Sequence, residues 1–577
     1  YDEEIPRYEY FINSNGKRIE IFFTEIVPFV SGDLVNVKGK VSEDKISVVP
    51  QDLEIISPQF SPINITNSSN QSGFIQPAIE TIGKQRTAVI LAAFSDSQEL
   101  PFTTRKIYNT VFNGTINQFI RQSSYGKTWL EGDVFGWYYF NMTCSEGRGF
   151  VDTGDVIKVS DRDIYFPDYD RIIVIFDSFC EEQPYGGSTV GKIVLDSNDG
   201  HFRASWANIF NSVHFYDPSP LPSGDNRDYW TSGEGIVIHE LGHSFGTGHS
   251  NDLDCGEEIL YDDCEYGNYG NLFDVMGKGW IFGGFDLYSN YENNTHAAFH
   301  YNAFNKNKFR WLSSQQYLKI TQDGMYKLRP LEKGTAIVAQ VRPPAYEGET
   351  FEPYYLEYRI PFGFDRSLND PLPIENLGGI FITRGDSYDG IESLNTWLLD
   401  MSPTTHDPFD KDWYRIALLP GEEFFNRAEG IKIINLGENN TNSTDPFVKF
   451  SVEFLEPECY RVKPKVYLDN NFDIPIEVHA GDNVNILDYL FIGVLNQDTK
   501  LCSSATFQFD VEVPNEWQYI FEPQDFNLLQ NGFRSVERFE MQIPENATEG
   551  DYLFFITATN EDSGLLREAN YTVTVIS

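Results

Sequence analysis

The chain is short of positive charge. Of its 577 residues, 43 are Lys or Arg and 86 are Asp or Glu, so the formal net charge is −43. A field of that sign repels nucleic-acid phosphates and anionic lipid headgroups, so no nucleic-acid partner is expected. Long apolar runs are also missing: no stretch approaches the roughly 18 residues of a transmembrane helix, and no membrane span is expected. CxxC pairs, heptads and short repeats are absent, which argues against thiolate zinc sites, coiled coils and solenoids. Methionine (5), cysteine (6) and histidine (9) are sparse, so any clustering among them is informative.

What is present points to folded, exported protein. Hydrophobic residues make up 41% and aromatics 15%, too much apolar surface for a disordered acidic chain and suited to packed, β-rich domains. At roughly 100–200 residues per domain, the length implies about three to five domains. Six widely spread cysteines are even in number and suggest three disulfides. A local Cys255–Cys264 bridge is expected, then Cys459 with Cys502 inside the last domain, which leaves Cys144 with Cys180. Ten N-x-[ST] sequons occur, at Asn64, Asn67, Asn70, Asn113, Asn141, Asn293, Asn439, Asn442, Asn546 and Asn570, each an acceptor for an N-linked glycan. Together these features favour a secreted glycoprotein at the cell surface, wall or matrix. The first residue is Tyr1 rather than Met, as expected if a signal peptide or pro-segment is removed, and the final NYTVTVIS reads as a strand rather than an anchor.

The patterning divides the chain. Residues 1–57 alternate apolar and polar around Asn-Gly and Ser-Gly-Asp turns, as a small antiparallel β-domain does. Residues 58–83, rich in Ser, Asn and Pro, read as a glycosylated linker. Within 84–315, TAVILAAF is a continuous apolar run suited to a strand buried on both faces, and TTRKIYNTVFNGTINQFIRQ has helical spacing. RIIVIF and KIVLD add strands, and GEGIVIHELGHSFG is a helix that stops at a glycine, so this is an α/β-type unit. Residues 316–456 predict a β-rich domain of sandwich type, and 457–577 an immunoglobulin-like β-sandwich. GGSTVGK (186–192) imitates a P-loop, but Ile193 stands where Ser or Thr would hold Mg²⁺. RGDS (384–387) reads as a plain turn.

Three of the nine histidines fall within HELGHSFGTGH (239–249), in the order HExxHxxGxxH. On a 3.6-residue helix His239 and His243 are i and i+4, so both imidazoles leave one face and reach one cation. Gly246 can take a positive φ, which ends the helix and swings His249 back toward the same metal. Three neutral nitrogens leave one tetrahedral position open, the pattern of a catalytic Zn²⁺ site. Glu240, beside a ligand, is placed to take a proton from a zinc-activated water and return it to a leaving amine. Peptide-bond hydrolysis is the reaction this implies.

The same eleven residues, followed by NLFDVMG (271–277), resemble the metzincin metallopeptidases, where a methionine turn lies under the zinc. HSNDLDCGEEILYDDCEYGNYGNLFDVMG and AFHYNAFNKNKFRWL are similar to the gametolysin-like (autolysin) branch, secreted enzymes that degrade extracellular glycoproteins such as algal cell-wall components. The resemblance covers residues 230–315. It implies His239, His243 and His249 as zinc ligands, Glu240 as general acid/base and Met276 as structural support. The algal prototype of the branch has Gln in place of His239; the three-histidine form here implies zinc. The fold class expected is multidomain α+β/β, a metzincin-like catalytic domain flanked by an N-terminal β-domain and C-terminal β-sandwich-like modules.

Other readings stand beside this one. The chain could instead be an extracellular structural, adhesive or filament-forming glycoprotein, assembling with itself and keeping a zinc-peptidase domain as scaffold. Asp252, Asp254, Glu257, Glu258, Asp262 and Asp263 offer hard oxygens to Ca²⁺, but without EF-hand spacing they read first as a solvated acidic loop. His296 and His300 form a second i, i+4 pair without an acidic partner and read as an ordinary helix face.

Overall fold

The computed structural model describes residues 81–97, 100–144, 151–177, 185–210, 233–255, 259–260, 264–278, 299–346, 350–369, 378–388, 391–403, 415–439, 445–469 and 476–576, together with six strands between 10 and 57. It falls into two compact units, Tyr1–Ser72 with Asp389–Ile391, and Gly73–Tyr388 with Glu392–Ser577. In the first unit Tyr10–Ser14 and Lys17–Phe23 form a hairpin, closed by Ser14 opposite Lys17, as the intervening Asn-Gly demands. The expectation of a purely antiparallel domain is corrected in one respect: Lys17–Phe23 pairs in parallel with Lys45–Val48. Such a pair needs a crossover rather than a tight turn, and alternation of side chains does not reveal it.

The second unit opens with a mixed sheet of β1 (Gly83–Ala93), β2 (Thr128–Tyr139), β3 (Arg171–Phe176), β4 (Tyr185–Ser188), β5 (Ile193–Ser197) and β6 (Gly200–Phe210). Their order is β4-β6-β3-β1-β2, with β5 also on β6. β1, β2, β3 and β6 run parallel, and β4 and β5 run antiparallel to β6. Val89 and Leu91 of β1 enter one core while Ala88, Ile90 and Ala92 enter another. Burial on both faces is why TAVILAAF is apolar without interruption. On the Val89 face lie α1 (Thr104–Tyr108), α2 (Thr115–Ser123) and α4 (Gly233–Ser244), through Ile107, Ile116, Phe119, Val237 and Leu241. α3 (Thr153–Ser160) covers the opposite face with Val156 and Ile157. The result is a helix–sheet–helix sandwich.

Past α4 the chain changes partners. β7 (Ser250–Asp254) and β8 (Glu265–Gly267) are followed by α5 (Ala303–Lys308), then β9 (Tyr317–Ile320), β10 (Gly324–Leu328), β11 (Val338–Val341), β12 (Tyr354–Tyr358), β13 (Ile380–Tyr388) and β14 (Ile391–Leu399). A seven-stranded sheet runs β8-β7-β14-β13-β12-β11-β9. Against it lies β10 with β15 (Glu423–Asn426), β16 (Ile431–Asn439) and β17 (Phe447–Phe454), ordered β10-β17-β16-β15. Leu356, Tyr358 and Ile382 from one sheet meet Phe424, Ile433 and Phe450 from the other in a shared core, a sandwich. Two of its strands, β7 and β8, precede residue 315, so strand pairing crosses that point.

RGDS lies inside β13 and not in a turn. Arg384 pairs with Glu429 at 2.7 Å over the Tyr354 ring, and a Cβ on Gly385 would stand 2.7 Å from Phe304 Cε2. The strand GGIFIT simply continues, because its side chains have packing partners.

Residues 476–576 hold a separate core, in which Ile492, Phe507, Phe509, Phe539 and Phe554 pack between small sheets. Cys459–Cys502 and Cys255–Cys264 are disulfides. Cys144 is also disulfide-bonded, and Cys180 lies outside the described residues. Asn113, Asn141, Asn546 and Asn570 are exposed, as glycan acceptors must be; Asn439 ends β16, and Asn64, Asn67, Asn70, Asn293 and Asn442 lie outside the described residues. Among the described residues no helix is long and apolar enough to cross a membrane. The chain is thus a β-rich, multi-sheet protein whose disulfides are compatible with an extracellular location.

Candidate metal centre

The histidine helix α4 is enclosed. Ile236, Val237, Ile238, Leu241 and Phe245 are buried around it, as expected of a helix apolar on nearly all sides. Its C-terminus is tied down by Arg171 of β3, itself buried, whose Nη1 donates to Ser244 O at 2.7 Å while the guanidinium covers the Phe245 ring. Gly246 follows with φ +102°, and its N–H bonds His243 O at 2.7 Å. A side chain at that φ would be strained, so glycine ends the helix here as its place in the motif predicts.

The three histidines converge. Their ligand atoms lie within 4.8 Å of one another, and no other group of three His, Cys, Asp or Glu does so among the described residues. His239 Nδ1 lies 2.7 Å from Val275 O, and His243 Nδ1 2.9 Å from Thr247 O. A carbonyl only accepts, so each Nδ1 carries the proton and each Nε2 presents a lone pair. His243 Nε2 and His249 Nε2 stand 3.1 Å apart. Two nitrogens each about 2.0–2.1 Å from a tetrahedral zinc would be roughly 3.3–3.4 Å apart, so the spacing suits a shared cation. Burial, reinforced by the neighbouring imidazoles, holds His239 well below the usual histidine range, and burial lowers His243. His249 is pushed down to about 4 by burial and by His243. All three are therefore neutral near pH 7, the form that binds metal.

Met276 packs against α4 at Gly242, between the two helical histidines in sequence. It is fully buried, and a Cβ on Gly242 of α4 would stand 2.2 Å from its Sδ and 2.8 Å from Tyr301 Cε1. Tyr301 Oη donates to Ile238 O at 2.7 Å. The turn bearing Met276 is organised by Asp274, whose carboxylate accepts from Met276 N (2.6 Å), Asn302 N (2.7 Å) and Asn305 Nδ2 (3.1 Å). Asn305 Oδ1 in turn accepts from Thr247 Oγ1 at 2.5 Å. The carbonyls that fix two of the imidazoles, Val275 and Thr247, thus belong to one hydrogen-bonded frame.

Glu240 is buried at 4% exposure, and its Oε2 has no hydrogen-bond partner among the described residues. Burial pushes it up to about 7, against a hydrogen bond from Ser188. Ser188 Oγ lies 3.0 Å from Glu240 O, joining the sheet edge β4 to α4. A Cβ on Gly186 of β4 would stand 2.6 Å from Glu240 Oε1, so the glycine makes room for the carboxylate. Such an orphaned buried carboxylate beside three convergent imidazoles is a group awaiting a partner.

The motif did not reveal every neighbour. Tyr269 stands with its ring centroid 4.0 Å from that of His249 and 36% exposed, in a positive-φ conformation (+61°). Burial and the charge of Glu240 raise its phenol. Its flanking glycines in GNYG were the available signal. Asn395, which accepts from His249 N at 2.8 Å, lies 146 residues away in sequence and had none. Asp252 is turned inward against Gly267 and Gly270, while Glu257, Glu258, Asp262 and Asp263 of the calcium reading lie outside the described residues. His300 is on no helix: it is buried, with Nδ1 3.0 Å from Lys306 Nζ. His296 lies outside the described residues.

Neither a protein-family model nor a curated protein matches the chain. Among solved structures it is similar to a FixG-related protein from Vibrio parahaemolyticus, 11% identical, over 20% of this chain and 95% of that one at TM-score 0.15. The PapD-like domain 7 of human CEP192 matches at 10% identity over 20% and 87%, TM-score 0.14. WR4, an MSP family member of C. elegans, matches at 12% identity over 19% and 96%, TM-score 0.13. Likenesses at these scores carry no argument about fold or function.

Proposed function

We propose that the chain is a zinc-dependent endopeptidase of metzincin, gametolysin-like type, acting on extracellular proteins or glycoproteins. The observation that supports this reading best is the orphaned Glu240 Oε2 buried beside the three-imidazole cluster. Three neutral imidazole donors suit Zn²⁺ and leave a coordination position open. Zinc bound there supplies a Lewis acid and brings the pKa of water to about 7. Glu240, poised to about 7 by burial, accepts the proton released on attack and passes it to the departing amine. β4 ends the sheet beside Glu240, its outer edge unpaired among the described residues. That edge is where an extended peptide adds as a further strand.

The test joins metal content to cleavage of a mixed peptide library, for the native chain, a chelated sample and Glu240→Gln. Near one zinc per chain is expected, with cleavage lost on chelation and reduced about 10²–10⁴-fold in Glu240→Gln, which keeps its metal. Cleavage undiminished in Glu240→Gln would overturn the mechanism. Stoichiometric zinc with no cleavage by the native chain would favour the structural-glycoprotein reading.

A further inference from the structure

His239 and His243 are placed by a buried helix, but His249 sits beyond Gly246 in a segment with no helical hydrogen bonds of its own. What holds it is strand β14, from the far side of residue 315. Gly248 N donates to Leu394 O at 2.7 Å, and Thr396 N donates to His249 O at 3.0 Å. His249 N donates to Asn395 Oδ1 at 2.8 Å. β7 then continues the contact as a parallel pair, Ser250 opposite Thr396 and Leu253 opposite Leu399. The approach is close enough that a Cβ on Gly248 would lie 2.2 Å from Asn395 Oδ1. β14 is itself firmly seated: Thr396, Trp397, Leu398 and Leu399 are buried, and Thr396 Oγ1 bonds Ser250 Oγ and Asn302 Nδ2, both at 3.1 Å.

We infer that β14 is the element that presents the third metal ligand, with Asn395 its positioning residue; the inference rests on the zinc-site reading above. The backbone bonds set the height of the segment, while the Asn395 side chain reaches His249 N itself and fixes the direction in which that residue leaves the strand. Without that acceptor the His249 amide is left without its partner and the imidazole loses its orientation toward His243. Side chains that orient metal ligands from outside typically change metal affinity about 10–100-fold.

The experiment uses the full chain and Zn²⁺ alone, read by competition with a chelator, together with the melting midpoint of the metal-free protein. Asn395→Ala is expected to bind Zn²⁺ about 10–100-fold more weakly, with a metal-free midpoint close to that of the native chain. Asn395→Asp, which keeps an oxygen acceptor in the same place, is expected to restore most of the affinity. If Asn395→Ala unfolds the chain, Asn395→Ser, whose shorter side chain draws the acceptor back, is read in its place with the same expectation. Equal Zn²⁺ affinity in the native chain and the shortened variant overturns the inference, as does an Asp variant as weak as Ala. A native chain that binds no Zn²⁺ overturns both this inference and the zinc-site reading. One that binds Zn²⁺ but cleaves nothing fails the peptidase reading alone, and the Asn395 comparison still decides.

Discussion

Gly242 is a helix residue chosen against its own propensity. In an exposed helix Ala in its place would be worth about 1 kcal/mol. Here the added Cβ would meet Met276 Sδ at 2.2 Å and Tyr301 Cε1 at 2.8 Å, and overpacking of a full core costs about 1–3 kcal/mol. The clash wins: Gly242→Ala should lower the stability of the metal-free chain by about 1–2 kcal/mol, seen as a lower melting midpoint. A raised midpoint would show that Met276 does not pack against the helix as described. The motif spelled out His239, Glu240, His243 and Met276, whereas the reason for the glycine between the histidines appeared only once Met276 was seen against it.

At the scale of the element, α4 opens with Glu234 in its first turn. The helix dipole favours a carboxylate there by about 0.3–1 kcal/mol, yet burial pushes Glu234 up to about 7, with only the Thr115 hydroxyl opposing. Burial outweighs the dipole. A carboxyl whose folded pKa exceeds its unfolded value leaves stability intact below the unfolded value, and stability is lost as pH rises toward the folded one. The window here is from about 4.5 to about 7. After allowance for its partial exposure, the penalty is on the order of 1–2 kcal/mol. Glu234→Gln should therefore raise the melting midpoint at pH 8 and leave it unchanged at pH 4. An equal shift at both pH values would refute the buried, protonated carboxyl. The helix itself was legible in GEGIVIHELGHSFG, but its enclosure on all sides was not, since periodicity alone does not distinguish neighbours on several faces.

The whole molecule joins modules that the composition separates. Besides the β7–β14 pairing, Glu357 accepts from Ala303 N and Asp365 from His300 N, with Arg359 bonded to both carboxylates, all buried. This paired cluster anchors the segment that carries Asn302 and Asn305, and breaking a buried pair of this kind costs about 3–5 kcal/mol. The core within 476–576, by contrast, is its own. On the proposed zinc reading, a chain ending at 456 should bind zinc as the full chain does and resist proteolysis through residue 456, whereas a chain ending at 315 should bind no zinc and be digested within α4. Zinc retained by the shorter chain would show that β14 and the Arg359 cluster are dispensable.

The convergence of His239, His243 and His249, the glycine stop at Gly246 and the Cys255–Cys264 and Cys459–Cys502 bridges could all be read along the chain. They are local patterns, in which a 3.6-residue period, a glycine stop or a short loop fixes which side chains meet. The strand character of RGDS, the parallel pair in the first unit, the inward turn of Asp252, and the dependence of His249 on Asn395 could not. Each rests on contacts between residues far apart in sequence, where pairing is settled by which buried surfaces fit, and a one-dimensional pattern carries no record of its distant partner.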